Sequence, residues 1–175
     1  MAERIDRGAR HRYSVSGEAT ERALRLCAFA LLDHYLAMHR VMVQHAGLQP
    51  VELLILIAAT TGNVQRAVGL ATLPESIRGS QPLPAGMMLP MSRRAIARIT
   101  GIPTETVRRH VDSMVRRGVL VSSPRGVHAP NRLAERRTLD TVLRLLELHA
   151  GCTEHLVGLQ AIVPRATRPA RAMRP

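Results

Sequence analysis

The chain of 175 residues contains no lysine, and all 25 of its basic residues are arginine. Acidic residues are also scarce, 13 in all, so the formal net charge is +12. This balance favours a polyanionic partner, with nucleic acid first and an anionic membrane surface second. A coding sequence biased toward arginine codons would explain the missing lysine, but it would not explain the shortage of acidic residues.

Aromatic residues and cysteines are few as well. Aromatic side chains make up 2% of the chain, so aliphatic residues and methionine must build the core. The two cysteines, Cys27 and Cys152, cannot form a disulfide framework, and we expect reduced thiols. A disulfide switch between them is conceivable, although buried cysteine more often only packs.

Long hydrophobic runs are missing too. No apolar run follows the charges of the N-terminus, as it would in a secretory signal. The longest run, 51–59, contains Glu52 and is far shorter than the roughly 20 residues of a membrane span. We therefore expect a cytoplasmic, bacterial-type protein without a membrane partner.

The first half of the chain predicts an arm, two helices and a linker. Residues 1–17 are polar and arginine-rich, which indicates a flexible arm. Within 18–68, apolar residues recur in steps of three and four, which predicts helices over 18–46 and 51–68. The first is apolar over so wide an arc that it suits a helix shared between a core and a partner subunit. Residues 69–91, rich in Gly and Pro, predict a loop or linker.

The second half predicts a helix, a tight turn, a second helix and a hairpin over 92–129. Ser92 suits the N-cap of the first helix, and Gly101 suits the turn. Gly118 fits the left-handed position that ends the second helix, 103–117. A C-terminal helix follows within 130–160, capped by Asn131. The basic tail, 161–175, is expected to be disordered.

The charge of the chain is concentrated in this predicted unit. Residues 92–128 hold eight arginines and two acidic residues, a net charge of +6, which is half the excess of the chain. Arginine can bind guanine, glutamate can accept from cytosine, and threonine can contact phosphate. The candidate DNA contacts lie on the first helix, the start of the second helix and the hairpin tip: Ser92, Arg93, Arg94, Thr104, Glu105, Thr106, Arg108, Arg109 and Arg125.

A competing interpretation treats the second helix as a solvated surface. Glu105 with Arg109, and Asp112 with Arg116, have the i,i+4 spacing of ordinary surface ion pairs. Such pairs stabilise a helix by only about 0.2–0.5 kcal/mol each, and they would leave fewer arginines for DNA.

The segment "SRRAIARITGIPTETVRRHVDSMVRRGVLV" resembles the winged helix-turn-helix regulators of bacteria. The layout, with two helices before it and one long helix after it, is similar to the MarR-like regulators. The resemblance implies a homodimer formed by the first and last helices. It also implies a possible small-molecule effector, of unknown identity, between that interface and the DNA-binding lobe.

The possible metal-binding and catalytic residues give weaker indications of function. His149, Cys152 and His155 stand at steps of three, but a structural zinc site wants four such ligands, so we expect no metal and no cofactor. No Gly-rich phosphate loop, Ser/His/Asp set or supported carboxylate pair occurs in the sequence, which argues against an enzyme.

The sequence thus predicts a mainly α fold with a small β-hairpin, a winged helix-turn-helix flanked by long N- and C-terminal helices. The predicted function is a homodimeric, sequence-specific transcriptional regulator that binds double-stranded DNA at the nucleoid. Two alternatives remain open: an architectural or replication protein that binds DNA regardless of sequence, and a winged-helix module that binds protein. Replacing Arg108 or Arg109 with alanine should weaken specific binding more than non-specific binding.

Overall fold

In the computed structural model of the protein, the described residues are 13–68, 75–84 and 86–165. The helices are α1 (Gly17–Arg22), α2 (Leu24–Ala46), α3 (Pro50–Val68), α4 (Arg93–Thr100), α5 (Thr104–Arg116) and α6 (Arg136–Gly158). The strands are β1 (Tyr13–Val15), β2 (Val121–Ser123), β3 (Gly126–His128) and β4 (Ile162–Pro164). The prediction of a mainly helical fold with a small antiparallel hairpin is confirmed.

The chain forms two compact units, and the first consists of residues 1–38 and 145–175. Here β1 pairs antiparallel with β4, so that Tyr13 lies opposite Pro164. Ser16 caps α1 by accepting a hydrogen bond from the Ala19 backbone N–H at 3.3 Å. The buried core of this unit is small and is centred on Cys27, Leu156 and Ala161.

The second unit, residues 39–144, holds the larger core. In it, α3 packs against α4, α5 and β3. Aliphatic side chains and one methionine fill the contact, as the near absence of aromatic residues requires. The members that are completely buried are Ile55, Ala59, Ile96, Val107, Val111, Met114 and Val127.

The flexible segments predicted at the two ends of the chain are too long. Residues 13–15 of the predicted arm, 1–17, pair with residues 162–164 of the predicted tail, 161–175. These two short segments satisfy each other's backbone hydrogen-bonding groups, which no local sequence pattern reveals. Residues 1–12 and 166–175 lie outside the described residues, as do 69–74 and 85 of the predicted linker.

Two helix boundaries also differ from the prediction. The helix predicted over 18–46 is two helices, because Ala23 leaves the helical conformation (φ −112°, ψ 24°). The C-terminal helix starts at Arg136 instead of near Arg132. Asn131 accepts a hydrogen bond from the Leu133 backbone N–H at 3.1 Å, so its side chain closes a local turn before the helix instead of capping it.

Candidate nucleic-acid interface

The α4–α5 corner follows from local sequence rules. The Ser92 hydroxyl accepts a hydrogen bond from the Ala95 N–H at 3.2 Å and caps α4. Gly101 ends α4 in the left-handed conformation with φ 72°. Gly118 has φ 69° just after α5, where a side chain would be disfavoured. The roles predicted for these three residues are confirmed: Ser92 and Gly101 bound α4, and Gly118 follows the end of α5.

The buried side of α5 fixes which residues point outward. Val107, Val111 and Met114 are fully buried and face α3 and α4. At about 100° per residue, Arg109 and Arg116 lie about 160–180° around the helix from Val107. These two arginines therefore occupy the middle of the outward face of α5, whereas Arg108, about 100° from Val107, lies to one side.

The ion pairs on this surface differ from those suggested by the i,i+4 spacing. Arg108 binds Glu105 through two hydrogen bonds, Nε to Oε2 at 2.9 Å and Nη2 to Oε1 at 2.6 Å. Its Nη1 also reaches Asp112 Oδ2 at 3.3 Å. Arg93 on α4 binds the other oxygen of Asp112 at 2.7 Å. Neither acid forms a salt bridge with Arg109 or Arg116 within the described part of the chain.

These four residues, Arg93, Glu105, Arg108 and Asp112, form what we call the neutral cluster, since two arginines balance two acids. Hydrogen bonds from Arg108 lower the pKa of Glu105, and the hydrogen bond from Arg93 lowers the pKa of Asp112, so both carboxylates are ionised at neutral pH. The neutral cluster leaves the net +6 of residues 92–128 on the six other arginines of that segment.

One of those six arginines is used internally. Arg117 Nη2 donates to Glu52 Oε1 on α3 at 2.6 Å, and His110 Nδ1 lies 3.6 Å from the same oxygen. Burial alone would raise the pKa of Glu52, but the bonds from Arg117 and from the Gln49 backbone N–H outweigh it and lower the pKa. This buried carboxylate ties α5 to α3.

Five arginines remain exposed and make no salt bridge or hydrogen bond among the residues that the structure describes. They lie on α4, on α5 and at the tip of the hairpin: Arg94, Arg98, Arg109, Arg116 and Arg125. We call them the open arginines. An arginine that is already paired must break its salt bridge before it can bind phosphate. The five open arginines can bind a polyanion without that cost.

The hairpin is fixed to the rest of the second unit by Asn63, which is 2% exposed. Its Nδ2 donates to the backbone oxygens of Leu89 at 2.6 Å and Val127 at 3.2 Å. Its Oδ1 accepts from the Ala129 N–H at 3.0 Å. Met91 adds a two-way backbone bridge to Val127. The hairpin, and with it Arg125, therefore has a defined position relative to α3.

The other predicted contacts are more ordinary. Thr104 is exposed and Thr106 is half-buried in the first turn of α5, while Ser92 is occupied as a cap. Pro103 precedes α5 without a capping side chain. Sequence reasoning missed the roles of Glu52 and Asn63, although the single acid and the single asparagine of the mostly apolar α3 were the available signal.

A cavity of about 380 Å³ lies within the second unit. Its walls are mostly apolar and include Leu48, Leu56 and Val119. His45 and Arg137 are among its polar lining residues. Burial, and then the charge of Arg137, lower the pKa of His45, so its imidazole is held in the neutral form.

The described part of the first unit contains two free thiols and two neighbouring histidines. Cys27 is buried and Cys152 is half-buried, both as free thiols, and burial raises the pKa of Cys152. His149 Nδ1 lies 3.4 Å from His34 Nε2. Among the described residues, no group of three or more potential metal ligands comes together.

Apolar side chains are unusually exposed on α2. Cys27 is its one buried residue, whereas Phe29 is 68% and Leu32 is 66% exposed. By length and composition alone, α2 is the one described helix that could cross a membrane, and 6% of that stretch is buried in the protein.

Comparison with known proteins identifies no relative: no protein-family model matches the chain, and no curated protein or solved structure matches it. Function must therefore be inferred from the chemistry of its own residues.

Proposed function

We propose that the protein is a sequence-specific, DNA-binding regulator of transcription that acts as a homodimer in the cytoplasm, at the nucleoid. In this proposal residues 92–129 are a winged helix-turn-helix. The observation that carries it is the set of five open arginines, which crowd onto α4, α5 and the hairpin while nearby acids are already neutralised. Unpaired arginines on a helix–turn–helix–hairpin scaffold are typical of a surface that binds duplex DNA.

Each element has a role in this complex. The exposed face of α5 enters the major groove, which is wide enough to admit a helix. Arg94 and Arg98, on α4, contact the phosphates of the DNA backbone. Arg125, at the tip of the hairpin, reaches flanking backbone or the minor groove. The bond between Glu52 and Arg117 keeps α5 at a fixed angle to α3 during binding.

The homodimer is proposed from the exposed apolar face of α2. Residues 24–36 contain one arginine and one aspartate, a net charge of zero in a chain of +12. Two copies of so basic a protein can meet there without charge repulsion. The first unit also has few buried residues, and a second copy would complete its core. The exposed apolar residues of this face are Leu24, Leu26, Phe29, Leu31, Leu32, Tyr35 and Leu36.

The same helix argues against a membrane role. Asp33 and Arg40 fall within the apolar stretch of α2. A charged side chain near the centre of a membrane helix costs about 2.5–3.5 kcal/mol on insertion scales. A second protein copy can accept these charges at the wet edge of an interface at much lower cost.

The cavity in the second unit supports a subsidiary proposal, that a small molecule regulates the protein. Its volume, about 380 Å³, lies within the range of small-ligand sites. Its lining combines apolar residues with polar and charged ones such as Arg137, which could bind both parts of an amphipathic small molecule. The identity of the effector does not follow from these residues.

Selection from a pool of random duplex DNA at near-physiological salt tests the proposed function. Enrichment of a roughly palindromic site is the expected result, because two recognition helices in a dimer read two half-sites about one helical turn apart. Tight binding without enrichment would favour the architectural protein. Absence of binding would favour the protein-interaction module.

A matched pair of variants assigns the binding to the proposed surface. Arg94→Gln removes an open arginine, and Arg136→Gln removes an exposed arginine of α6 that pairs with Asp140 at 3.0 Å. Each variant lowers the net charge by one. The first should weaken DNA binding and flatten its salt dependence by about one unit of slope, whereas the second should change neither strongly.

A further inference from the structure

We propose that Arg109 is the specificity-determining residue of the recognition helix and that it reads a guanine. Its neighbour Arg108 is then a positioning residue that neutralises the carboxylates of Glu105 and Asp112. This inference rests on the proposed function, because it distributes roles within the same DNA-binding surface. The observation behind it is the unequal pairing of two adjacent arginines on α5.

The donors of Arg108 are largely occupied. Glu105 accepts from Nε and Nη2, and Asp112 accepts from Nη1. A bidentate contact to guanine O6 and N7 needs two free, coplanar donors of one guanidinium. Arg108 would have to break charge-assisted bonds as short as 2.6 Å to offer its full fork to a base. Specific readout by Arg108 is therefore disfavoured.

Arg109 has the opposite properties. It is exposed, it has no salt bridge or hydrogen bond with any described residue, and it lies near the middle of the outward face of α5. It is also six positions into the helix, within the N-terminal half that reaches base edges in recognition helices. Its whole guanidinium fork is available for guanine.

Arg108 acts through the acids that it binds. Glu105 and Asp112 stand on the surface that would face DNA phosphates, where two bare carboxylates would be repelled. Arg108 contacts both, and Arg93 contacts Asp112 from α4. The neutral cluster therefore removes this repulsion. Because both oxygens of Glu105 accept from Arg108, Glu105 is also not free to read cytosine.

The first experiment compares two charge-preserving variants, Arg109→Lys and Arg108→Lys, on the enriched duplex and on a scrambled duplex. Lysine keeps the charge but loses the fork. Arg109→Lys should lose on the order of 10- to 100-fold affinity for the enriched duplex, with the preference for one guanine per half-site relaxed. Affinity for the scrambled duplex and the salt slope should stay the same. Arg108→Lys should keep the base preference.

The second experiment tests the positioning role by rescue. Arg108→Gln exposes the acids and should weaken binding to both duplexes. The double variant Glu105→Gln/Arg108→Gln restores the original net charge, and it should recover most of the affinity with the base preference intact. If Arg108 touched DNA itself, the second substitution would not restore binding. Thermal unfolding of each variant checks that the fold is retained.

The possible failures are distinguishable. If the wild-type protein enriches no sequence, the proposed function fails before any variant is made. If it enriches a sequence but Arg109→Lys leaves every base preference unchanged, or Arg108→Lys abolishes one, the assignment of Arg109 is overturned while the proposed function stands.

Discussion

At the scale of single residues, the second unit depends on two polar side chains buried in an apolar helix. Asn63 bonds to three backbone groups, of which the Leu89 carbonyl and the Ala129 N–H have no other partner among the described residues. Glu52 neutralises Arg117 at the end of α5. A buried polar group without a partner costs free energy, so a substitution that breaks the hydrogen bonds of Asn63 or Glu52 should lower stability. Each makes a specific stability prediction.

Asn63→Leu should lower the free energy of unfolding by about 2–3 kcal/mol, because it leaves the Leu89 carbonyl and the Ala129 N–H without partners and removes one of the two donors to the Val127 carbonyl. Denaturant unfolding followed by circular dichroism measures this change. Gln65→Leu, at an exposed position of α3, is the matched control and should change stability by less than about 0.5 kcal/mol. Equal effects of the two substitutions would refute the clamping role of Asn63.

Glu52 makes stability depend on pH. Its pKa in the folded chain is lowered from 4.5, so its ionised form contributes stability above that pH, and the contribution is lost as pH falls through the folded pKa. Glu52→Gln should therefore destabilise the protein at pH 7 by about 1–2 kcal/mol. The difference from wild type should shrink as the pH is lowered below about 4.5. A difference that does not vary with pH would contradict an ionised Glu52.

At the scale of elements, the hairpin depends on one glycine. Gly126 has φ 142°, and a Cβ built there would lie 2.3 Å from the Met91 carbonyl oxygen. That oxygen accepts the Val127 N–H in the bridge that holds β3, so it cannot move away without breaking the bridge.

Gly126→Ala should cost at least about 2 kcal/mol of stability, since both the conformation and the space exclude a side chain. Gly151→Ala is the control within α6, where φ is not positive and no atom lies within 4 Å of the added carbon. It should stabilise the protein by about 0.5–1 kcal/mol. Thermal unfolding of both variants gives the comparison, and a tolerated alanine at Gly126 would show that the hairpin can shift.

Local chemistry explains which elements could be predicted from sequence. The cap at Ser92 and the left-handed glycines at 101 and 118 depend on neighbouring residues only, and they were predicted correctly. The pairing of β1 with β4 joins segments about 150 residues apart, and the break at Ala23 has no turn residue to mark it. Such features depend on tertiary contacts, which local sequence patterns do not encode.

The candidate site, too, could be predicted from the sequence only in part. The location of the basic surface followed from the charge of residues 92–128. The pairing within that surface did not, because spacing alone allows Glu105 to bind either Arg108 or Arg109. The geometry favours Arg108, and Asp112 is drawn to Arg93 of a different helix.

At the scale of the whole molecule, the proposed homodimer of a chain of net charge +12 needs a surface on which two copies can meet without charge repulsion. The exposed face of α2 is apolar and has no net charge over residues 24–36. A homodimer through this face should disappear when a charge is placed in its middle, because an unpaired charge is costly to bury.

Leu32→Glu should convert a dimer to a monomer at micromolar concentration. Leu32 is 66% exposed in the single chain, so the substitution should leave the fold of each copy intact. Leu54→Glu, on the exposed side of α3, is the matched control and should keep the dimer. Sedimentation equilibrium gives both masses, and an unchanged mass for Leu32→Glu would exclude this face as the interface.

The most direct test of sequence-specific DNA binding is the ratio of two dissociation constants, measured at the same near-physiological salt for the enriched duplex and for a scrambled duplex of equal composition. A sequence-specific regulator should bind its enriched site about 1,000-fold or more tightly than the scrambled one. A ratio close to one would contradict the proposal, because the open arginines would then be reading only phosphate.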